Sequence, residues 1–260
     1  ISGIGAATVH AMRDWVLQTH LLAALLAVLA VAGVAHDIPA YKAVNGVVGV
    51  DTYFGRPPAT DDEQVERFSA VKRVLQKTVG EGGVGEHASV LVLPENTMNL
   101  DDPALDFLVD SEVLRPLKRA GKSAVIGKLA QGQTGYLNQA AVIEDGEIRA
   151  TVDQRQPALL SMWRPWAAEH FPLDWSRNTG FEIARGRVGR VLVCYEEYIP
   201  ALFMLDELHG GHDFTVIMSS NWSATGARLP EVQRLHSLGM AKMFNRPVVR
   251  AVNYPLHMKN

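Results

Sequence analysis

The sequence predicts an α/β fold in which a layered domain follows an apolar segment near the N-terminus. From residue 43 onward, short apolar runs alternate with helical stretches, which is the pattern of α/β layered domains. The chain has 260 residues, 47% of them hydrophobic, and this is enough to bury one full core. Residues 21–35 form an unbroken apolar run. These observations predict a membrane helix with its flanks at 1–42 and one globular domain at 43–260.

The apolar stretch at 15–35 is predicted to be a transmembrane helix. Only Gln18, Thr19 and His20 interrupt it, and its length is close to the roughly 20 residues that a bilayer-spanning helix requires. Two alternatives stay open, namely a secretory signal peptide, which the small residues at the end of the stretch would suit, and a buried core helix. Because the first residue is Ile1 rather than Met, we expect the sequence to be a piece of a longer chain, truncated at the C-terminus as well.

The first elements of the domain are predicted to be a strand and a helix. Residues 43–51 are rich in valine and bounded by turn residues, as in a buried strand. Residues 61–79 have Asp and Glu in the first turn and basic residues later, which complements the helix dipole. The domain therefore begins with a strand–helix unit.

The remaining elements continue this alternation. Short runs of Val, Ile and Leu, bounded by glycine, proline or charge, are typical of central buried strands. They lie at 88–93, 123–127, 190–194 and 214–219. Within 137–153, an Asp-Gly pair separates two apolar runs and predicts a β-hairpin. A helix is predicted at 230–245, followed by a late strand at 247–253.

Several classes of function are disfavoured by composition and motifs. The formal net charge is −3 and there is no long run of Lys or Arg, so a direct nucleic-acid ligand is not expected. The glycine-rich residues 80–87 lack the Lys-Ser/Thr pair of a phosphate loop and are interpreted as a flexible loop. None of the nine histidines lies in a motif that would complete a zinc site or a papain-like pair with the single cysteine. We expect neither a metal nor a cofactor.

Three polar residues directly follow predicted buried strands. They are Glu95, Cys194 and Asn221. Ligands collect at the carboxyl ends of strands in open α/β sheets, so these side chains are candidates for one site. Each residue alone has a structural interpretation, because free cysteines are commonly buried and a carboxylate after a strand is commonly a cap. Their combination, with a second acid at Glu196, favours a functional site.

The segments "LVLPENTM", "GRVLVCYEEYIP" and "SSNWSATG…HSLGMAKMFNRPVVRAVN" carry a family resemblance. In this order they resemble the glutamate motif, the cysteine motif and the closing segment of the carbon–nitrogen hydrolase (nitrilase) superfamily. The Cys-Tyr-Glu form, the aromatic Trp222 after Asn221 and the preceding membrane helix are most similar to the branch of apolipoprotein N-acyltransferases and TraB conjugal-transfer proteins. The resemblance runs from about residue 43 to residue 253.

The resemblance implies a four-layer α-β-β-α sandwich and a Glu-Lys-Cys catalytic triad. Glu95 would be the general base, and Cys194 the nucleophile that attacks an amide or ester and forms a thioester acyl-enzyme. Tyr195, Glu196, Asn221 and Trp222 would bind substrate or support the site.

The chain departs from the family pattern at the lysine. Gapless matching places Gln154 at that position, with Arg155 beside it. Arginine has fixed donors that could hold an oxyanion, although it cannot carry a proton as lysine can. We therefore predict that Glu95, Arg155 and Cys194 meet in one pocket, with a structural salt bridge as the alternative role for Arg155. Gln154 and the backbone N–H of Tyr195 are the other candidate donors.

Two functions follow from these expectations. The first is a membrane-tethered, thiol-dependent amidase or acyltransferase acting on a small-molecule, lipid or peptide amide or ester in conjugal plasmid transfer. It would lie at the bacterial inner membrane with its catalytic domain in the periplasm. The second is a catalytically impaired nitrilase-fold subunit, which would act as a homo-oligomer or with partners in the transfer apparatus. The missing lysine favours the second function, and the presence of both Glu95 and Cys194 favours the first.

Overall fold

The computed structural model of the chain describes residues 44–99, 102–132, 135–183, 186–224 and 228–258. The predicted α/β fold is confirmed over these residues, which form two β-sheets with helices packed on them. Within these ranges, no helix is both long and apolar enough to cross a membrane. The stretch at 15–35, where the transmembrane helix is predicted, lies outside the described residues.

The described residues contain ten strands. They are β1 Val47–Gly49, β2 Val90–Val92, β3 Met98–Asn99, β4 Ser123–Gln131, β5 Tyr136–Glu144, β6 Glu147–Asp153, β7 Gly180–Ile183, β8 Arg187–Val193, β9 Phe214–Ser220 and β10 Val248–Asn253. The first sheet has the order β1-β2-β4-β5-β6, in which β1, β2 and β4 are parallel and β3 lies parallel beside β4. The second sheet has the order β10-β9-β8-β7, with β7 as its antiparallel edge.

The helices lie on the outer faces of the two sheets. The α-helices are α1 Asp61–Val79, α2 Asp106–Leu108, α3 Arg115–Arg119, α4 Pro200–His209 and α5 Arg228–Phe244. A π-helical segment, Val109–Leu114, joins α2 to α3, and short 3-10 helices occur at Pro103–Leu105, Cys194–Tyr198 and Leu256–Met258.

Three apolar clusters stack these elements in the order helix, sheet, sheet, helix. The outer cluster of the first sheet joins α1 and the π-helical segment to alternate residues of β2, β4 and β5. The central cluster joins the facing sides of the two sheets, and the third joins α4 and α5 to the outer side of the second sheet. Each strand thus contributes one side chain inward and the next outward, as the period of two requires.

Local sequence signals explain the first helix and the hairpin. Helix α1 begins after Thr60, whose hydroxyl accepts from Glu63 N at 3.3 Å, and it buries Phe68, Val71 and Leu75 on one face. Between β5 and β6, Asp145 and Gly146 have φ of 52° and 75°, and two positive φ values form the turn that suits a tight hairpin.

The two sheets present the carboxyl ends of their parallel strands at the same edge. Thr52, after β1, makes a parallel bridge to Asn253 at the end of β10, so the strands that end there run in the same direction. Strand β2 ends three residues before Glu95, and β8 ends directly before Cys194. The fold therefore brings two residues almost one hundred positions apart to one edge.

Candidate active site

Glu95 is a buried carboxylate at the end of β2 and is only 3% exposed. Its Oε1 accepts from Asn138 Nδ2 at 2.6 Å, and its Oε2 accepts from the backbone N–H of Ser220 at 3.0 Å. Asn138 belongs to the first sheet and Ser220 to the second. The carboxylate is therefore held between the two sheets by donors from both.

The backbone at Glu95 passes very close to strand β4. A Cβ atom at Gly127 would lie 2.2 Å from the carbonyl oxygen of Pro94 and 2.5 Å from the Cα of Glu95. Real Cβ atoms do not approach other atoms so closely, so a side chain at this position would displace the Glu95 backbone. Gly127 thus sets the position of Glu95 by leaving space for it.

The loop after Glu95 is held by Arg67 of α1. The Arg67 guanidinium donates to the carbonyls of Thr97 at 3.2 Å and Asn96 at 3.5 Å, and also to those of Phe54 and Arg56. Burial lowers the pKa of Arg67 to about 10. Because its donors point to carbonyls of two loops, Arg67 fixes the start of α1 relative to the loop that carries Glu95.

Cys194 follows β8 and begins a 3-10 helix with a positive φ of 54°. This backbone conformation is uncommon for a residue other than glycine and is enriched at functional sites. The side chain packs against the cluster between the sheets and is partly exposed. It is hydrogen-bonded to the Glu95 carboxylate, and the backbone N–H of Tyr195 also contacts the sulfur.

The electrostatics of the pair favour a protonated thiol beside an ionisable carboxyl. Burial raises the pKa of Glu95 to about 7, although its hydrogen bonds with Cys194, Asn138 and Ser220 act in the opposite direction. Burial, followed by the nearby Glu95 charge, raises the pKa of the Cys194 thiol well above its usual value. Above pH 7 the proton therefore resides on sulfur and Glu95 is free to accept it.

Gln154 lies at the family's lysine position and is part of this site. It is buried, its Oε1 accepts from Asn138 Nδ2 at 3.3 Å, and its Nε2 donates to the Val193 carbonyl at 2.9 Å. Asn138 donates to Glu95 as well, so Asn138 links the amide of Gln154 to the Glu95 carboxylate. Gln154 connects the Glu95 side of the site to the residue before Cys194.

The prediction that Arg155 joins Glu95 and Cys194 in one pocket is wrong. Its guanidinium is fully buried and binds Asp206 of α4 through two bonds, at 2.8 and 3.2 Å. Helix α4 packs on the outer side of the second sheet, whereas Cys194 faces the space between the sheets. Gln154 still pairs with β5 through its backbone N–H and keeps the inward direction of Val152, whereas the chain bends at Arg155, so the guanidinium reaches Asp206 instead of the site. Arg155 instead forms a structural salt bridge, which is the alternative role predicted for it from the sequence.

Glu196 ties the segment at 155–156 to the end of β8. Its Oε1 accepts from the backbone N–H groups of Arg155 at 2.6 Å and Gln156 at 2.8 Å, and its Oε2 accepts from Val193 N at 2.8 Å. Burial raises the pKa of Glu196 to about 7. Its three hydrogen bonds to backbone donors hold the turn between β8 and Cys194 against the segment that follows Gln154.

Glu197 is a further buried acid near the pair and was not predicted. Its carboxylate accepts from the hydroxyls of Ser219 at 2.7 Å and Ser237 at 2.8 Å, with Arg250 at 3.5 Å. Its negative charge contributes to the raised pKa of both Glu95 and Cys194. Asn138 was also missed, although a polar residue at the inward parity of β5, in line with Ala140 and Val142, was a signal that could have identified it.

The other predicted supporting residues lie around the site with different contacts. Asn221 is buried and donates to Gln233 of α5, while Trp222 is 44% exposed. Tyr195 is partly buried, and its ring lies 6.5 Å from that of Tyr198. Among the residues described by the structure, no group of three or more His, Cys, Asp or Glu side chains is arranged to hold a metal ion.

Comparison with known sequences identifies two related conjugal transfer proteins. The chain is 28% identical over 178 residues to the conjugal transfer protein TraB of Agrobacterium fabrum, which covers 65% of this chain and 40% of that protein. It is 26% identical over 168 residues to the probable conjugal transfer protein TraB of Sinorhizobium fredii, covering 63% of this chain and 42% of that protein. The chain thus spans about two fifths of the length of these relatives. No family model matches it.

Comparison with solved structures identifies the fold. A carbon–nitrogen hydrolase from Helicobacter pylori superposes with a TM-score of 0.53, at 14% identity, covering 79% of this chain and 72% of that one. A CN-hydrolase superfamily protein from Xanthomonas campestris gives 0.54, at 14% identity, with coverages of 79% and 74%. Glutamine-dependent NAD+ synthetase from Acinetobacter baumannii also gives 0.54 at 14% identity, covering 80% of this chain and 38% of the synthetase.

Proposed function

We propose that this chain, a homologue of the TraB conjugal transfer proteins with the fold of the carbon–nitrogen hydrolases, is a thiol-dependent amidase or acyltransferase. The observation that carries the proposal is the hydrogen bond between the Cys194 thiol and the buried Glu95 carboxylate. A nucleophile paired with a base of pKa near the working pH is the arrangement that acyl transfer requires.

In the first half-reaction, the Cys194 sulfur attacks the carbonyl carbon of an amide or ester while Glu95 takes the thiol proton. The C–S bond forms and the carbonyl becomes a tetrahedral oxyanion. When the oxyanion collapses, the C–N or C–O bond breaks and the leaving amine or alcohol receives the proton from Glu95. The product of this step is a thioester on Cys194.

In the second half-reaction, water or an amine attacks the thioester. Glu95 accepts the proton of the attacking group, the new C–O or C–N bond forms, and the C–S bond breaks. The departing thiolate takes the proton back from Glu95. Water gives net hydrolysis and an amine gives acyl transfer, so the acyl acceptor decides between the two activities.

A backbone donor takes the place of the family's lysine in this proposal. The N–H of Tyr195 lies beside the sulfur and is the candidate oxyanion donor. The Gln154 amide nitrogen already donates to the Val193 carbonyl at 2.9 Å, so Gln154 acts as a positioning residue for the turn that carries Cys194. Arg155 has no catalytic role, because Asp206 holds its guanidinium.

The cellular role proposed here follows from the relatives and from the sequence. The TraB homologues favour a role in conjugal plasmid transfer, and the apolar stretch at 15–35 favours attachment to the bacterial inner membrane with the catalytic domain in the periplasm. A membrane-attached enzyme with an acyl-enzyme intermediate suits a lipid, peptide or small-molecule amide or ester as its substrate.

Acyl-enzyme capture tests the proposal directly. The protein is incubated with p-nitrophenyl butyrate, and intact-mass spectrometry measures the mass added to the chain. We expect one butyryl group on Cys194, its release by neutral hydroxylamine, and no labelling in a Cys194→Ala variant. Labelling that persists in Cys194→Ala, or no labelling of the unaltered chain, would overturn the proposed chemistry.

A second candidate function is a non-catalytic subunit of the transfer apparatus. It is favoured by the neutral Gln154 at the lysine position, because the family's cation is replaced by an amide that bonds to the backbone. Plasmid transfer measured in cells that carry Cys194→Ala separates the two functions. Transfer at the unaltered rate supports the subunit, and loss of transfer with normal protein abundance supports the enzyme.

A further inference from the structure

Glu197 is a fully buried acid in the turn that follows Cys194. Its Oε1 accepts from the Ser219 hydroxyl of β9 at 2.7 Å, and its Oε2 accepts from the Ser237 hydroxyl of α5 at 2.8 Å. The Arg250 guanidinium of β10 lies 3.5 Å from Oε2. One carboxylate therefore ties the turn that carries the nucleophile to two strands of the second sheet and to the helix that covers them.

These contacts lie on the outer side of the second sheet. Side chains alternate along β9, where Met218 belongs to the cluster between the sheets and Ile217 to the cluster beneath the outer helices. Ser219 shares the outward direction of Ile217, and Glu197 meets it there. A buried ion pair is a weak source of stability, and apolar residues of similar volume often replace one at little cost. The charged group therefore favours a role in placing the elements that it joins.

The peptide unit between Ser219 and Ser220 connects this carboxylate to the base. The Ser220 N–H belongs to that unit and donates to Glu95 Oε2 at 3.0 Å. Because the peptide unit is planar, a contact that restrains Ser219 on one side of the sheet also restrains the direction of the N–H that reaches Glu95. Glu95 is in turn hydrogen-bonded to Cys194. The contacts thus close a ring that begins and ends at the turn that carries the nucleophile.

We propose that Glu197 is a positioning residue for the general base. Through Ser219 it holds the backbone donor that orients Glu95, and it thereby sets the distance between the base and the nucleophile. The proposal rests on the proposed role of Glu95 in acyl transfer. Glu197 acts without touching the substrate, since its side chain is fully buried. Misplacement of a reacting group by about 1 Å can lower a rate by roughly 10²-fold, so a remote contact of this kind is sufficient.

The charge of Glu197 acts on the same pair. Burial is the main cause of the raised pKa of Glu95, and the Glu197 charge acts in the same direction. After burial and the contribution of Glu95, the Glu197 charge also raises the pKa of the Cys194 thiol. Glu197 therefore has two separable effects on the pair, one through its hydrogen bond to β9 and one through its charge.

Kinetics with p-nitrophenyl butyrate test the hydrogen bond. Ser219→Ala removes the hydroxyl, and Glu197→Asp keeps the charge but is one methylene too short to reach both serines. We expect kcat to fall about tenfold or more in each variant with little change in KM, because the base is displaced while the substrate contacts stay. Thr215→Val is the matched control, since Thr215 is a buried residue on the same side of β9 as Ser219. It should keep the kcat of the unaltered chain.

Alkylation of Cys194 by iodoacetamide tests the charge and needs no acyl transfer. At about pH 8 the alkylation rate follows the fraction of thiolate. Glu197→Gln removes the negative charge, so we expect alkylation to be about twofold or more faster than in the unaltered chain. Ser219→Ala keeps the charge, and its alkylation rate should stay the same. A residue that only stabilises the fold would not separate the two measurements in this way.

Two outcomes would overturn the proposal. The first is that Ser219→Ala and Glu197→Asp turn over the ester as fast as Thr215→Val. The second is that Glu197→Gln is alkylated at the rate of the unaltered chain. Absence of turnover in the unaltered chain would instead contradict the proposed acyl transfer, and the alkylation rates would then decide whether Glu197 acts on the pair.

Discussion

Gln154 and Arg155 are neighbours in the chain, yet they belong to two different regions of the molecule. Gln154 faces the space between the sheets, where it bonds to Asn138 and to the carbonyl before Cys194. Arg155 faces outward beneath α4, where Asp206 binds its guanidinium and Arg190 lies 3.5 Å from the same carboxylate. The first region places neutral amides and the buried acid Glu197 beside an ionisable pair, and the second buries a charged pair.

The comparison shows that chain geometry decides which residue serves the site. Arg155 has the more suitable chemistry for an oxyanion, but the bend of the chain after Gln154 places its guanidinium against Asp206. The neutrality of Gln154 also has an electrostatic consequence. A cation at that position would lower the pKa of Glu95, whereas with an amide there burial raises it to about 7.

The largest expected effect belongs to the region between the sheets. Glu95→Gln removes the proton acceptor, and we expect kcat/KM for p-nitrophenyl butyrate to fall by about 10²–10⁴-fold, the usual contribution of a general base. Glu231→Gln is the matched control, because Glu231 is an exposed residue of α5 that pairs with Arg234. If Glu95→Gln keeps more than a tenth of the activity, Glu95 is not the base.

In the region of Arg155 and Asp206, we expect substitutions to lower the free energy of unfolding and to leave kcat nearly unchanged. Arg155→Ala leaves Asp206 buried with Arg190 and Thr179 as its remaining side-chain contacts among the described residues, and breaking a buried pair in this way costs about 3–5 kcal/mol. Chemical denaturation should show this decrease, while kcat per folded molecule changes little. The double variant Arg155→Met with Asp206→Leu should recover much of the stability. A stable but inactive Arg155→Ala would contradict the separation of the two regions.

Much of the fold could be predicted from sequence because its signals are local. The bounds of α1 at 61–79, the Asp-Gly hairpin and the parallel strands of both sheets agree with the prediction. Helix α4 and the π-helical segment at Val109–Leu114 were not predicted. A π-helix has no local sequence signal of this kind, since it differs from an α-helix only in its hydrogen-bond spacing.

The candidate site was predictable only in part, for a physical reason. Glu95 and Cys194 follow buried strands, so their convergence could be inferred from the order of the elements. Asn138 and Ser219 lie within strands, and their contacts with Glu95 and Glu197 depend on strand register. The direction of Arg155 depends on the bend of the chain that follows the end of β6 at Asp153.

The raised pKa values predict an unusual pH dependence of stability. The pKa of Glu95 rises from 4.5 to about 7 on folding, so between these pH values the unfolded chain loses a proton that the folded chain keeps. Stability is therefore full below about pH 4.5 and decreases as pH rises to about 7, by about 3 kcal/mol. Glu196 contributes in the same direction. Glu95→Gln should show a shallower decrease in thermal unfolding between pH 5 and 8, and an unchanged slope would contradict the raised pKa.

The smallest expected effect places lysine at each of the two neighbouring positions. In Gln154→Lys the new ammonium would lie near Glu95, because Gln154 and Glu95 share Asn138 as a donor. An opposite charge within about 4–6 Å favours the ionised carboxylate, so the acidic limb of the kcat/KM profile should move from about pH 7 to lower pH by roughly one pH unit or more. Arg155→Lys is the matched variant, and it should leave the limb in place because Asp206 lies on the outer side of the second sheet. If both variants move the limb equally, or if only Arg155→Lys does, the two residues do not face opposite sides of the molecule.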